Sequence, residues 1–338
     1  MLIKHIPEDF VVEEMTNVKK KAKGEYCYFW LEKRNWNTQN AVDEVARALR
    51  VRKVGFAGTK DKKAITKQLC SAENVRKESI EKVSVRGVTL TFYGYGDEPV
   101  SLGDLKGNKF RIVVRDVDSD IKVKKLKEIV NYFDEQRFSR TNVDVGRAIV
   151  KKDFKKAVEI IATGEGDYNG IVKDFISKNK TNFIGALHLV PRKILRMIIG
   201  SYQSFLWNDT VARFIEGKTK FVRVPYSQGQ LAFPTGKRVN KKVPMIGFDT
   251  QTTDKEIRLI IHEIMHREGI TFRDFIIREF PELTMEGAER DMMVLVKKFS
   301  AKMMKDELFD GRKKILLSFE LPKGSYATMV VKRLFTQS

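Results

Sequence analysis

Cysteine and histidine are scarce in this sequence, and long apolar runs are missing. Cys27 and Cys70 are the only cysteines, and they stand too far apart for a disulfide framework or a metal site. Nothing in this usage indicates an oxidising compartment, so we expect a cytoplasmic protein. The first residues hold no apolar stretch of signal-peptide length, and Asp or Lys interrupts every later one. We therefore predict that no segment spans a membrane.

Positive charge, in contrast, is abundant. The 338 residues include 64 Lys or Arg against 44 Asp or Glu, which gives a formal net charge of +20. Such a surplus favours a polyanionic partner, with nucleic acid the leading candidate, and predicts binding that weakens with salt. Biased surfaces also arise for other reasons, so charge alone leaves the partner open. The length suffices for two domains, and a 42% hydrophobic share suffices for a core in each.

One short stretch combines turn residues with concentrated charge. Residues 51–57 and 64–70 each have the pattern of a strand, so Asp61 is predicted at the apex of the loop between them. Three lysines flank it: Lys60, Lys62 and Lys63. A carboxylate among lysines suits catalysis beside bound phosphates, because the lysines favour its charged form and attract a polyanion. The same residues are typical of a solvated turn, which is the simpler interpretation of this segment in isolation.

Four segments with distinctive residues follow one another along the chain. They read PEDFVVEE at 7–14, GTKD at 58–61 with Ala64, Thr66 and Gln68 after it, GNKFRI at 107–112, and LPKGSYAT at 321–328. Together they span nearly the whole sequence. In content and order they resemble the signature segments of the TruD family of tRNA pseudouridine synthases.

The resemblance implies an isomerase that converts uridine to pseudouridine in RNA, at position 13 of tRNA in the usual case, without a metal or an organic cofactor. It makes Asp61 the catalytic carboxylate. Phe110 would stack on the target uracil, Asn108 would support Asp61, and Lys60 and Lys4 would contact phosphates or the base. Whether Asp61 adds to C6 of the uracil, attacks C1′ or removes a sugar proton stays open. The expected partner is tRNA, and the expected form is a monomer.

The resemblance also implies an α+β fold with a discontinuous catalytic domain. Residues 1–138 and 304–338 would form the pseudouridine synthase domain, a mixed or antiparallel sheet with flanking helices. Residues 139–303, which are helical in pattern and rich in lysine, would form an inserted α/β domain specific to the family. Within the first part, the spacing of apolar residues over 121–135 predicts a helix.

A zinc-protease pattern offers a different chemistry. His262, Glu263 and His266 form a literal H-E-x-x-H, although Phe272 stands where the extended pattern needs a third histidine. The helix that carries them has an apolar stripe and a capping box at its start. At about 100° per residue, both histidines point away from that stripe. A zinc site needs both imidazoles inside a cleft, so we predict solvated histidines and no metal.

A non-catalytic RNA-binding protein with the same basic surface is the remaining hypothesis. Binding alone has no need of a carboxylate among lysines and would tolerate its loss. Asp61 therefore discriminates between the enzyme and the binding protein.

Overall fold

The computed structural model describes residues 1–121, 123–139 and 141–336. Contacts divide the chain into two units, which we treat separately. The first unit comprises Met1–Ile129 and Val294–Ala327, and the second comprises Val130–Met293 and Thr328–Ser338. The boundaries thus differ from the predicted 138 and 303, and the last residues group with the second unit. Three elements contain these boundaries: β7 (Glu128–Val130), β12 (Met293–Leu295) and α10 (Ala327–Leu334).

A mixed sheet of eight strands forms the first unit. Its order is β13–β14–β6–β1–β4–β2–β5, and β3 pairs with β4 outside that path. Only β1 and β4 run parallel, and every other neighbouring pair is antiparallel. The strands are β1 (Phe10–Met15), β2 (Tyr26–Arg34), β3 (Val54–Phe56), β4 (Ile65–Glu73), β5 (Val88–Gly96), β6 (Gly107–Val117), β13 (Lys297–Lys305) and β14 (Lys313–Pro322).

Helix α1 (Thr38–Leu49) covers part of one face of this sheet, which we call the α1 face. The helix begins after Asn37, whose side chain caps it by accepting from the backbone N–H of Gln39. Its apolar stripe packs with alternate residues of β2 in one core cluster, and each fully buried Val, Leu or Phe side chain there contributes about 1.5–3 kcal/mol. The cluster includes Ala41, Val42 and Val45 from α1 and Cys27, Phe29 and Leu31 from β2. A short helix, α2 (Lys77–Glu81), follows β4.

The predicted hairpin around Asp61 is confirmed. Strands β3 and β4 pair antiparallel, with Phe56 opposite Cys70. The connection between them, residues 57–64, has no helix or strand and carries Asp61. We call it the Asp61 loop.

The predicted helix over 121–135 is wrong. Residues 121 and 123–127 adopt no regular structure, residue 122 lies outside the described residues, and β7 occupies Glu128–Val130. Beyond it, within the second unit, the rings of Tyr132 and Phe133 pack against Trp207, at centroid distances of 6.4 and 5.6 Å. Burial of these two rings against a distant tryptophan outweighs the local helical spacing.

The second unit is built around a long buried helix, α8 (Arg192–Lys218). Trp207 is buried in this helix and donates its indole N–H to the carbonyl of Val243 at 3.0 Å. Among the described residues, two pairs of strands and six further α-helices lie wholly within this unit, besides α10, which begins at its boundary. They are β8 (Phe221–Tyr226) with β9 (Gly229–Pro234), β10 (Lys242–Met245) with β11 (Ala288–Asp291), α3 (Glu135–Phe138), α4 (Asn142–Val150), α5 (Phe154–Thr163), α6 (Asn169–Lys178), α7 (Phe183–His188) and α9 (Lys255–Glu268). Among the described residues, no helix combines the length and apolar character needed to cross a membrane.

Candidate active site

Neighbouring strands of the first unit align polar and aromatic side chains in two rows on the α1 face. The register of the paired strands aligns most residues of each row. The alternation of side chains along β1 and β4 places Glu14 beside Gln68. The first row contains Lys33, Thr66, Val12, Phe110 and Phe319. The second row contains Leu31, Gln68, Glu14, Asn108 and Leu321.

The Asp61 loop lies over these rows and is fixed to them by three side chains. Gln68 donates from Nε2 to the carbonyl of Gly58 at 3.2 Å. Lys33 donates from Nζ to the carbonyl of Asp61 at 2.7 Å. The third side chain belongs to the loop itself, since Lys60 reaches back to the sheet, as described below. The loop is therefore held through two of its backbone carbonyls and through the side chain of Lys60.

Asp61 forms an ion pair with Lys4 at the solvent-facing side of the loop. Oδ1 of Asp61 lies 2.9 Å from Nζ of Lys4, and the two side chains are 21% and 23% exposed. The ammonium group also lies 4.2 Å from the ring centroid of Phe10. Lys4 has a left-handed backbone with φ of 55°, which is uncommon outside glycine and costs free energy. The carboxylate is thus partnered yet still accessible from solvent.

Phe110 belongs to an aromatic cluster that adjoins this ion pair. Its ring lies 6.3 Å from that of Phe10 and 5.6 Å from that of Phe319. Phe110 is 6% exposed, so it is mostly buried in this conformation. Because Lys4 lies over Phe10, the cluster and the carboxylate share one region of the sheet. Stacking of Phe110 on a uracil stays a prediction.

Lys60 occupies a different position from the one expected of a phosphate contact. Its Nζ lies 2.6 Å from Oε2 of Glu14, and the two side chains are only 6% and 0% exposed. Oε1 of the same glutamate accepts from the backbone N–H of Leu69 at 3.3 Å. Since its charge is already neutralised away from solvent, Lys60 supports the loop here. Lys62 and Lys63, in contrast, are exposed.

Asn108 lies in the second row, but the predicted contact with Asp61 is not formed. Both residues are described, and no hydrogen bond joins them in this structure. Oδ1 of Asn108 is buried without a partner among the described residues, as are Oγ1 of Thr66 and Oε1 of Gln68. Unpaired buried oxygens are rare in folded proteins, so three of them in adjacent rows single out this part of the sheet.

Two residues of the site, Lys33 and Thr38, are not among those predicted from the sequence. Lys33 is fully buried, and its signal is the alternation of Cys27, Phe29 and Leu31, which continues to position 33 on the buried face. A lysine at such a position indicates a buried polar contact. Burial lowers the pKa of Lys33 to about 8, although the charge of Asp61 acts in the opposite direction.

Lys33 is expected to make the stability of the first unit depend on pH. Below pH 8 it is charged in the folded and unfolded chains, and its burial costs stability. Between pH 8 and its ordinary pKa of 10.5, the unfolded chain binds more protons, so stability rises with pH. Urea unfolding of wild type and Lys33→Met at pH 7 and at about pH 9.5 should show wild type gaining relative to the variant. An unchanged difference between the two proteins would contradict the shifted pKa.

The H-E-x-x-H segment lies on α9 with its ionisable residues toward solvent. His262, Glu263 and His266 are exposed, whereas Ile261 and Ile264 are buried. The prediction of solvated histidines is confirmed. Over residues 1–121, 123–139 and 141–336, no three His, Cys, Asp or Glu side chains are grouped so as to hold a metal ion.

Comparison with known proteins agrees with this fold. The family model described as tRNA pseudouridine synthase D (TruD) matches residues 1–169 and 232–334. The tRNA pseudouridine synthase D of Aquifex aeolicus (strain VF5) is 29% identical, with 98% of this chain and 97% of the relative covered. A relative from Thermococcus sibiricus is 30% identical, with 98% and 94% covered.

A solved structure extends the likeness to three dimensions. A crystal structure from Methanosarcina mazei, assigned to tRNA pseudouridine synthase D, matches with a TM-score of 0.71 and 25% identity, over 99% of this chain and 93% of that one. The α+β fold and the matched segments define an RNA pseudouridine synthase, which is an isomerase. Within that class, the chain belongs to the tRNA pseudouridine synthase D (TruD) family.

Proposed function

We propose that this protein isomerises uridine to pseudouridine in tRNA, at position 13, with Asp61 as the catalytic carboxylate. One observation carries the assignment of Asp61. Its carboxylate lies 2.9 Å from Lys4, is partly exposed, and adjoins the aromatic cluster of Phe10, Phe110 and Phe319. The family indicates the reaction, and the ion pair of Asp61 with Lys4 supplies a charged carboxylate that a substrate can reach.

The chemistry of the isomerisation explains the neighbours of Asp61. The N1–C1′ bond of the nucleoside breaks, the uracil turns, and a C5–C1′ bond forms, while C5 releases its hydrogen as a proton and N1 takes up a proton from solvent. A carboxylate close to both sugar and base can assist this exchange by adding to C6, by attacking C1′ or by removing a sugar proton. The uridine must first leave its stack, and an aromatic cluster favours the extruded base. We propose that Phe110 becomes the stacking residue when RNA binds.

The positive charge of the protein supports an RNA partner. We propose that Lys4 contacts the substrate next to Asp61 and that the exposed Lys62 and Lys63 contact phosphates, while Lys60 stays paired with Glu14. In the same proposal, residues 1–138 and 304–338 form the catalytic domain, and residues 139–303 form the family-specific insertion. The enzyme acts as a cytoplasmic monomer without metal or organic cofactor.

Tritium release tests the proposed reaction. Transcripts of tRNA with uridine tritiated at C5 are incubated with the protein, and matched transcripts carry cytidine at position 13. We expect release from the first RNA and none attributable to position 13 from the second. Equal release from both RNAs would show that the enzyme modifies a uridine at a position other than 13. Binding of both RNAs without any release would favour the non-catalytic RNA-binding protein instead.

Salt is expected to weaken RNA binding strongly, because a net charge of +20 acts through contacts with phosphates. Each neutralised phosphate releases counterions, so the Kd for tRNA should rise roughly tenfold or more between about 50 and 200 mM KCl. A filter-binding titration at several salt concentrations measures the slope. A Kd independent of salt would show that the positive surface does not bind the RNA backbone.

A further inference from the structure

We propose that Lys33 and Thr38 are positioning residues, which hold the backbone of Lys60 and Asp61 and so determine where the Asp61 carboxylate lies. The inference rests on the proposed function, because it takes Asp61 as the catalytic group. Neither side chain touches the carboxylate, so both act through the loop. We call the pair the backbone clamp.

Thr38 holds both polar backbone atoms of Lys60. Its Oγ1 accepts from the backbone N–H of Lys60 at 2.9 Å and donates to the carbonyl of the same residue at 3.2 Å. A hydroxyl has one donor and two acceptor sites, so a single side chain can satisfy both atoms. Thr38 is 1% exposed and is the first residue of α1, whose N-terminus Asn37 caps. The helix therefore fixes the hydroxyl, and the hydroxyl fixes the loop.

Lys33 holds the next residue. Its ammonium group donates to the carbonyls of Asp61 and Trp36, both at 2.7 Å. Trp36 lies in the connection between β2 and α1, so Lys33 ties the loop to the same connection that positions Thr38. Burial of a charged amine is costly unless it is hydrogen-bonded. An apolar side chain, like that of Leu31 on the same α1 face of the sheet, would fill the space without the cost of burying a charge.

The clamp explains how an irregular loop can present a carboxylate with defined geometry. The Asp61 loop has no helix or strand, and the ion pair with Lys4 is about one-fifth exposed. A partly exposed ion pair fixes a side chain weakly. Two buried side chains on the backbone of adjacent residues fix the Cα of Asp61 instead. A misplacement of about 1 Å at a reacting group can cost on the order of 10²-fold in rate.

Variants of the clamp can be matched for shape. Thr38→Val keeps the branched shape and loses the hydroxyl, whereas Thr38→Ser keeps the hydroxyl. Lys33→Met keeps the length and loses the donors. Val45→Ala serves as a destabilised control, because Val45 is buried in α1 and belongs to the core cluster rather than to the clamp. Each protein is assayed for single-turnover tritium release at saturating tRNA, for Kd, for Tm and for hydrogen exchange of the Asp61 loop.

Loss of the clamp is expected to lower the single-turnover rate by about 10- to 100-fold while the Kd for tRNA stays unchanged. Thr38→Ser should restore most of the rate. Hydrogen exchange in the loop should speed up in Thr38→Val and not in Thr38→Ser. Val45→Ala should lower Tm and leave the rate near that of wild type below its unfolding transition. If Lys33→Met fails to fold, the comparison of Thr38→Val with Thr38→Ser tests the clamp by itself.

The clamp is overturned if Thr38→Val and Lys33→Met keep the rate of Val45→Ala, or if they lose activity only through Kd. The Asp61→Asn variant in the same series separates this failure from that of the proposed function. If wild type releases no tritium, the proposed function fails and the clamp falls with it. If wild type and Asp61→Asn are equally active, the assignment of Asp61 fails. If only Asp61→Asn is inactive, the clamp alone is wrong.

Discussion

The Asp61→Asn variant is expected to lose tritium release by at least about 10³-fold while it still binds tRNA. Asparagine keeps the shape of the side chain and removes its charge, so it can neither add to the base or sugar nor accept a proton. Removal of a negative charge from a basic surface should leave the Kd for tRNA unchanged or lower it. Lys4 loses its partner, but its ammonium group is partly exposed, so the fold should survive.

Single-turnover release and filter binding measure the two halves of this prediction. Asp310→Asn is a matched control, because Asp310 is exposed in the connection between β13 and β14. It removes the same charge from the first unit, and we expect wild-type rates from it. Full activity of Asp61→Asn would exclude a catalytic role for the carboxylate and would favour a purely structural loop. Joint loss of binding and release would point to misfolding instead.

The Arg115→Met variant is expected to lose about 3–5 kcal/mol of unfolding free energy. Arg115 is 2% exposed on β6, where its guanidinium contacts both carboxylate oxygens of Asp9 at 2.9 Å and one of Asp306 at 2.7 Å. Methionine fills much of the volume but leaves two buried carboxylates without their partner. The large cost comes from those unpaired charges rather than from the lost attraction itself.

Urea unfolding measures this loss, and Arg111→Met serves as the matched control. Arg111 lies on the same strand but is exposed, so the identical substitution should change stability by less than about 0.5 kcal/mol. Arg115 also exchanges two backbone hydrogen bonds with Leu2, at 2.8 and 2.9 Å, close to Lys4. Activity should therefore fall together with stability. Equal stability of the two variants would mean that the buried charges are compensated elsewhere.

Local patterns in the sequence predict a good part of this structure. The strand patterns of residues 51–57 and 64–70 place Asp61 in the loop between them. The helical spacing on α9 is enough to turn His262 and His266 toward solvent. Each of these predictions depends on residues within one element, where backbone geometry alone relates sequence spacing to direction.

The same patterns contain a signal for the buried polar residues of the site. Glu14 extends the alternation of Phe10 and Val12 on β1, and Lys33 extends that of the apolar residues on β2. A charged residue at a position that the pattern assigns to the interior must find a buried partner. The pattern shows that such a partner exists but does not identify it.

The sequence by itself determined the reaction class through its ordered segments, the basic character through composition, and the strand and loop around Asp61. Only the tertiary structure decided that Lys60 pairs with Glu14, 46 residues away, and that Lys33 holds the carbonyl of Asp61, 28 residues away. It also decided against a helix over 121–135. The reason is physical: local spacing fixes the direction of a side chain, whereas the partner it meets depends on which distant surfaces exclude water together.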